Sequence, residues 1–326
     1  MNCDCPPKFI VGAWGQPAGH FPRLASLRVN SAFGYDNGGG VAKVEWERRA
    51  AESGLWVANA AAADVATMAI EAAQENRLAW TQDDEPDLNR WRDNEPADSP
   101  HNSRLIPGPR YKGWTRPEIL QERYARCKSV APHVPVFVNF AGPSITVAEY
   151  THGEGHKPYL AACDWMSFDW HIKNQNYTRY TLDLVRLAAG RLRTWAGPEK
   201  RLFVFIEVTQ HQYHANARSP TPDEAEAMVN AAAESGATGI VYFPHTFRHG
   251  WTPGVFPNGW YGPTAEMEAR MLAMNNRLSP PVGWEIENAR LRAENDALRT
   301  QVGSLEAANG VLLDRIRRAG EILEER

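Results

Sequence analysis

The sequence predicts an α/β fold class: a (β/α)8, or TIM, barrel over residues 1–280, followed by an α-helical coiled coil over 281–326. Three observations predict it. Eight short apolar runs alternate with helical or loop segments across about 270 residues, the order expected of a parallel sheet closed on itself. The main competitor, a doubly wound open sheet, normally carries a dinucleotide fingerprint after its first strand, and Gly12-Ala13-Trp14-Gly15 is not one. Beyond Trp284 the composition changes, and leucine recurs at every seventh position.

The elements follow in order. Residues 9–14, an apolar run after two prolines, form strand one, and the alternating residues 27–33 form strand two. Gly34 to Gly40 is a glycine-rich loop without the lysine and following Ser or Thr of a phosphate-binding loop. Residues 41–53 have helical spacing, and Gly54 stops the helix before strand three at 55–59. An alanine-rich helix at 62–75 carries Asp64 in its first turn.

Strand four starts at Arg77 and runs through Leu78-Ala79-Trp80 into the acidic stretch Asp83-Asp84-Glu85-Pro86-Asp87. Pro86 cannot donate to a ladder and biases Glu85 to an extended backbone, which places Glu85 at the strand's carboxyl end. Residues 88–115 are a long polar loop. A helix at 116–129, opened by Pro117, leads to strand five at 134–140, stopped by Gly142-Pro143. Residues 144–161 form a second glycine-bearing loop. Strand six occupies 165–170, a helix 178–194, strand seven 202–207 and a helix 222–235. Strand eight at 239–243 and a closing helix at 264–277 complete the barrel.

Composition narrows the function. The net charge of −4 gives no reason to expect nucleic acid or an anionic membrane as partner. No apolar run is long enough to span a bilayer. The N-terminus lacks the basic and apolar parts of a secretory signal, so the chain is expected to be cytoplasmic when made; if it leaves a cell, another route is expected, such as inside a virus particle or on lysis. Cys3, Cys5, Cys127 and Cys163 lack zinc-site spacing and read as reduced structural thiols. The spacings His211-x-x-His214 and His245-x-x-x-His249 fall on loops that do not fix both imidazoles on one face, so neither a metal nor another cofactor is expected.

Two carboxylates occupy matching positions. Glu85 ends strand four and Glu207 ends strand seven, and in a closed barrel these ends face each other across the mouth. Cleavage of a glycosidic bond needs such a pair: one protonated carboxyl to expel the leaving oxygen, and one ionised to attack or to activate water. Asp84, beside Glu85, adds negative charge that favours the proton there. A different barrel enzyme using the same acids for proton abstraction is a further possibility, which a metal or phosphate at the mouth would favour.

This pattern resembles the clan A glycoside hydrolases, barrels with Asp-Glu-Pro or Asn-Glu-Pro on strand four and a glutamate ending strand seven. The resemblance implies that Glu85 is the acid/base and Glu207 the nucleophile. A closer likeness is to barrels with Asp-Glu-Pro-Asp on strand four, two aspartates five apart on strand six (Asp164 and Asp169), and Pro-Thr-Pro-x-Glu before the last helix and strand (Pro220 to Glu224). It covers about residues 9–277. The sequence departs from it in two places. Asp84 stands where well-known members carry an asparagine that contacts the sugar 2-hydroxyl, and Asp169-Trp170-His171 replaces Asp-x-Tyr-Pro. A second Asn-Glu-Pro, at Asn94-Glu95-Pro96, follows no apolar strand and reads as a loop decoy.

Substrate contacts are expected from Trp14, Trp80, Asp84, Asn139, Asp169, Trp170, His211, Tyr242 and His245, at or near strand ends. Trp251 is a further candidate. Flat rings there can stack on sugar faces, although core packing accounts for each tryptophan equally well.

In the tail, Leu291, Leu298, Leu305 and Leu312 take heptad position d; Asn288, Asn295, Val302, Asn309, Ile316 and Leu323 take position a. Pairs such as Glu287–Arg292 and Glu294–Arg299 are complementary in a parallel assembly, so a parallel homodimer is expected, with a trimer second. Pro280-Pro281 separates tail from barrel. The whole reads as a glycosidase with a polysaccharide or cell-surface glycan as substrate. The alternative is a non-catalytic carbohydrate-binding or structural bacteriophage virion protein that meets other virion proteins. That analogy is one of architecture.

Overall fold

The structure is a computed structural model that describes residues 7–35, 40–87, 115–146, 156–171, 182–209, 218–244 and 264–279. The chain divides into two units, Met1–Ser279 and Pro280–Arg326. The coiled coil expected on 281–326, with its positions Leu291, Asn295, Leu298, Val302, Leu305, Asn309 and Leu312, lies outside the described residues.

Eight strands form a closed parallel barrel in sequence order: β1 (Ile10–Trp14), β2 (Ser31–Phe33), β3 (Trp56–Ala60), β4 (Arg77–Asp84), β5 (Val136–Ala141), β6 (Trp165–Asp169), β7 (Arg201–Glu207) and β8 (Gly239–Phe243), with β1 paired to β8. A 3-10 turn at Ala18–His20 precedes the described α-helices, α1 (Phe21–Ser26), α2 (Lys43–Glu52), α3 (Val65–Ala72), α4 (Pro117–Val130), α5 (Gly142–Thr146), α6 (Lys157–Leu160), α7 (Leu182–Ala196), α8 (Pro222–Glu234) and α9 (Ala265–Leu278). None of the described helices is long and apolar enough to cross a membrane.

Strand two is shorter than the sequence predicts. Leu27 closes α1, Arg28 turns with φ of 63°, and pairing starts only at Ser31. The alternation that suggested a strand over 27–33 arises because Leu27 and Val29 are buried in the turn, not in the sheet. β5 ends at Ala141, just where Gly142-Pro143 is expected to stop it, but α5 reaches into the second predicted loop and α6 lies inside it.

Side chains alternate across each strand, so residues two apart share a face. The inward set forms one cluster containing Ile10, Phe33, Phe137, Trp165, Phe203, Phe205, Val241 and Phe243. Phe33, Phe137 and Phe203 pack on one another with ring centroids 5.1, 5.5 and 6.1 Å apart. Glycine makes room for them: a Cβ at Gly12 would lie 2.6 Å from the Phe33 ring, and one at Gly239 would lie 2.5 Å from the Phe203 ring. The outward set packs against the helices in a larger cluster. Aromatic rings thus fill the barrel, and the inward residues toward the carboxyl ends of β4 to β7 are polar: Asp84, Asn139, Asp169 and Glu207.

Candidate active site

β4 positions the first acid through an irregularity. Its register against β5 runs Thr81 to Phe137, then Asp84 to Asn139, so one extra residue is inserted. Such a bulge re-aims the side chains beyond it. Asp84 turns inward to accept from Asn139 Nδ2 at 2.9 Å. Asp83 pairs instead with Arg123 at 2.6 Å and accepts from the Thr115 hydroxyl at 2.9 Å. Glu85 follows with φ of 46°, a left-handed backbone uncommon for a residue with a side chain. Its N–H donates to the Asn139 carbonyl at 2.9 Å. The extended backbone expected at Glu85 is corrected here: Pro86 disfavours the right-handed helical region, and the turn takes the left-handed one.

Asn139 is the hub. Its amide donates to Asp84 and, at 3.2 Å, to Asp169 Oδ2; its oxygen accepts from the Ser167 hydroxyl at 2.7 Å. Asp169 is buried and hydrogen-bonded to Glu85. Burial, then the charge of Asp84, raises the Asp169 carboxyl to about 8, with Asp87 adding a smaller push; the hydrogen bonds from Glu85 and Asn139 oppose the rise. His171 Nε2 lies 3.7 Å from Asp169 Oδ2, and the ring packs 4.9 Å from that of Phe243. Burial lowers the His171 pKa, against the opposing pull of Glu207, Glu85 and Asp84. Glu207 itself is 1% exposed, whereas Asp84 is exposed and Glu85 half-buried.

The remaining sequence-predicted residues separate into groups. Trp14 is half-buried at the end of β1, edge-on to Phe205 at 5.4 Å. Trp80, Trp170 and Tyr242 do not face the mouth, which corrects the expectation of substrate contact. Trp80 is fully buried in an apolar cluster with Met68, Cys127 and Val136 outside the barrel. Trp170 and Tyr242 belong to the helix-facing core, and the Tyr242 hydroxyl donates to Asn275 Oδ1 at 2.7 Å. The cause is alternation: each of these three sits one residue from an inward neighbour. His211, His214, His245, His249, Trp251 and Glu95 lie outside the described residues.

Two pieces of the closer resemblance have structural duties. Asp164 accepts from the Val136 N–H and the Tyr124 hydroxyl, both at 2.9 Å, just before β6 begins. Thr221 and Glu224 form a reciprocal cap on α8: each side chain accepts from the other's backbone N–H. His171 and Ser167 were missed as site residues, although both share the parity of Asp169 and could have been found from it.

The same barrel occurs in solved structures. It is similar to a β-galactosidase from the Antarctic haloarchaeon Halorubrum lacusprofundi, with TM-score 0.59 and 11% identity over 82% of this chain and 58% of that one. The catalytic core of xylanase A gives 0.51 and 15%, over 82% and 98%. An exo-β-1,4-mannosidase from Opitutaceae bacterium strain TAV5 gives 0.51 and 11%, over 83% and 60%. The fold is one that glycoside hydrolases use. The chain spans about three fifths of the galactosidase and of the mannosidase. No protein-family model and no curated protein matches the sequence.

Proposed function

We propose that the barrel is a glycoside hydrolase acting on a polysaccharide, with Glu85 as the acid and Glu207 as the nucleophile or base. One observation carries this reading: carboxylates end β4, β6 and β7 of one closed barrel on its inward side, Asp84 and Asp169 joined through Asn139, with Glu85 following β4 and Glu207 ending β7. The raised Asp169 carboxyl keeps a proton beside Glu85 near neutral pH. Glu85 transfers a proton to the glycosidic oxygen as the bond to the anomeric carbon breaks. Glu207 attacks that carbon if the two carboxyls stand about 5–5.5 Å apart, or takes a proton from an attacking water if they stand about 6.5–9.5 Å apart. His171, whose pKa burial lowers, sits 3.7 Å from Asp169 without adding a permanent positive charge. Asp84, exposed at the end of β4, meets sugar hydroxyls, and buried Asn139 holds it there.

The near-complete burial of Glu207 favours a second reading, a barrel that binds carbohydrate without turnover. The proposal extends to the tail: residues 281–326 self-associate, which gathers barrels on a repeating glycan or tethers them to a larger assembly such as a virion.

A screen of polysaccharides for reducing-end release tests the catalytic reading. The wild type is expected to release ends from at least one polymer, and Glu85→Gln and Glu207→Gln to lose at least about 100-fold. Equal release by all three proteins removes the assignment. Binding by all three without release selects the second reading.

A further inference from the structure

Two residues beyond Glu85 the chain buries a carboxylate completely. Asp87 is 0% exposed, and its side chain reaches across to two other elements. Oδ1 accepts from the Ala141 N–H at the end of β5, at 2.9 Å; Oδ2 lies 3.1 Å from His156 Nε2, just ahead of α6. The Asp87 carbonyl accepts from the Ser144 hydroxyl in α5 at 3.2 Å. His156 is fully buried as well and is held as a plate: its ring stacks on Trp195 of α7 at 4.8 Å and 11°, with Phe140 and Tyr159 edge-on or tilted around it. Between Glu85 and Asp87, the Pro86 carbonyl accepts from the Thr115 N–H at 3.1 Å.

This arrangement coincides with the left-handed backbone of Glu85. A non-glycine residue there costs on the order of 1 kcal/mol or more, and it persists only when its surroundings over-determine it. Burying a carboxylate unpaired is costlier still, so Asp87 cannot leave its partners without penalty. The chain on one side of Glu85 is fixed by the β4–β5 ladder and on the other by Asp87.

We infer that Asp87, locked by His156 and the Ala141 N–H, is a positioning residue that holds Glu85 in its left-handed turn and so aims the Glu85 carboxyl into the barrel mouth. The catalytic consequence rests on the function proposed above; the conformational claim does not. The two are therefore read separately, in the full chain, using Asp87→Asn and the milder His156→Gln.

Amide hydrogen exchange at Glu85, whose N–H is bonded to the Asn139 carbonyl, reads the conformation. Protection there is expected to fall at least about tenfold in Asp87→Asn, and less in His156→Gln, while the amides of β7 and β8 keep theirs. Unchanged protection at Glu85 in both variants overturns the inference, and so does a uniform loss across the barrel. The catalytic half is read with two substrates: the polymer that the wild type cleaves, and an aryl glycoside whose leaving group needs no proton. Misaiming the acid should lower kcat at least about tenfold on the polymer, leave KM within about twofold, and leave the aryl glycoside almost untouched. Equal losses on both substrates would mean general damage and contradict the positioning role. If the wild type cleaves nothing, the proposed function fails while the exchange result still decides the conformational claim.

Discussion

Asp169 offers a test in which stability and function pull in opposite directions. Its carboxyl is raised from 3.8 to about 8 by burial and by the charges of Asp84 and Asp87. Each unit corresponds to about 1.36 kcal/mol. Between these two values the unfolded chain has released a proton that the folded chain still holds. The folded state therefore binds more protons, and stability falls as pH rises from about 4 to about 8. The interval puts the cost above pH 8 on the order of 5 kcal/mol. Asp169→Asn removes the titration and keeps an oxygen to accept from Asn139 Nδ2. Guanidinium unfolding across pH is the assay. At pH 8 the variant should be more stable than wild type by several kcal/mol, on the order of the same cost; at pH 4 the two should agree within about 1 kcal/mol. The stabilised variant should also lose activity, because Glu85 loses its acidic neighbour. Parallel stability curves for the two proteins would refute the reasoning.

Three other outcomes follow from the same structure. Burial lowers the pKa of His171 below 6.5, so the unfolded chain takes up a proton that the folded chain refuses; stability should fall as pH drops below about 6.5, and His171→Gln should flatten that limb in a thermal melt. Gly239→Ala drives a Cβ to 2.5 Å from the Phe203 ring and 2.9 Å from the Ile10 carbonyl; it should destabilise by about 1–3 kcal/mol in denaturant unfolding. Deleting residues 284–326 should give a folded monomer by light scattering, and an unchanged oligomer would count against self-association through the tail.

The barrel was legible because each strand carries its own apolar run. Phe137, Val138 and Phe140, or Phe203, Val204 and Phe205, read as buried strand from composition alone. The short helices were not legible: α1, α5 and α6 have four to six residues, too few for a 3.6-residue period to show. Within the site, the end of β7 follows from counting: Phe203, Phe205 and Glu207 share one face. The same count, applied to Asp169, excludes Trp170 from the mouth and includes His171. Asp84 could not be reached in this way. The bulge between Thr81 and Asp84 shifts parity by one, and nothing in Thr81-Gln82-Asp83-Asp84 announces it, since each of these residues fits either face. The burial of Asp87 depends on His156, 69 positions away, which is a property of the fold.

The central claim is that Glu85 and Glu207 act on one sugar. A crystal structure of Glu85→Gln with an oligosaccharide from the polymer it recognises measures this directly. The account predicts the glycosidic oxygen within about 3.2 Å of the residue-85 amide, with the anomeric carbon facing Glu207 and the two side-chain termini no more than about 9.5 Å apart. A saccharide bound elsewhere on the barrel, or a Glu207 that no ligand atom approaches, would contradict it.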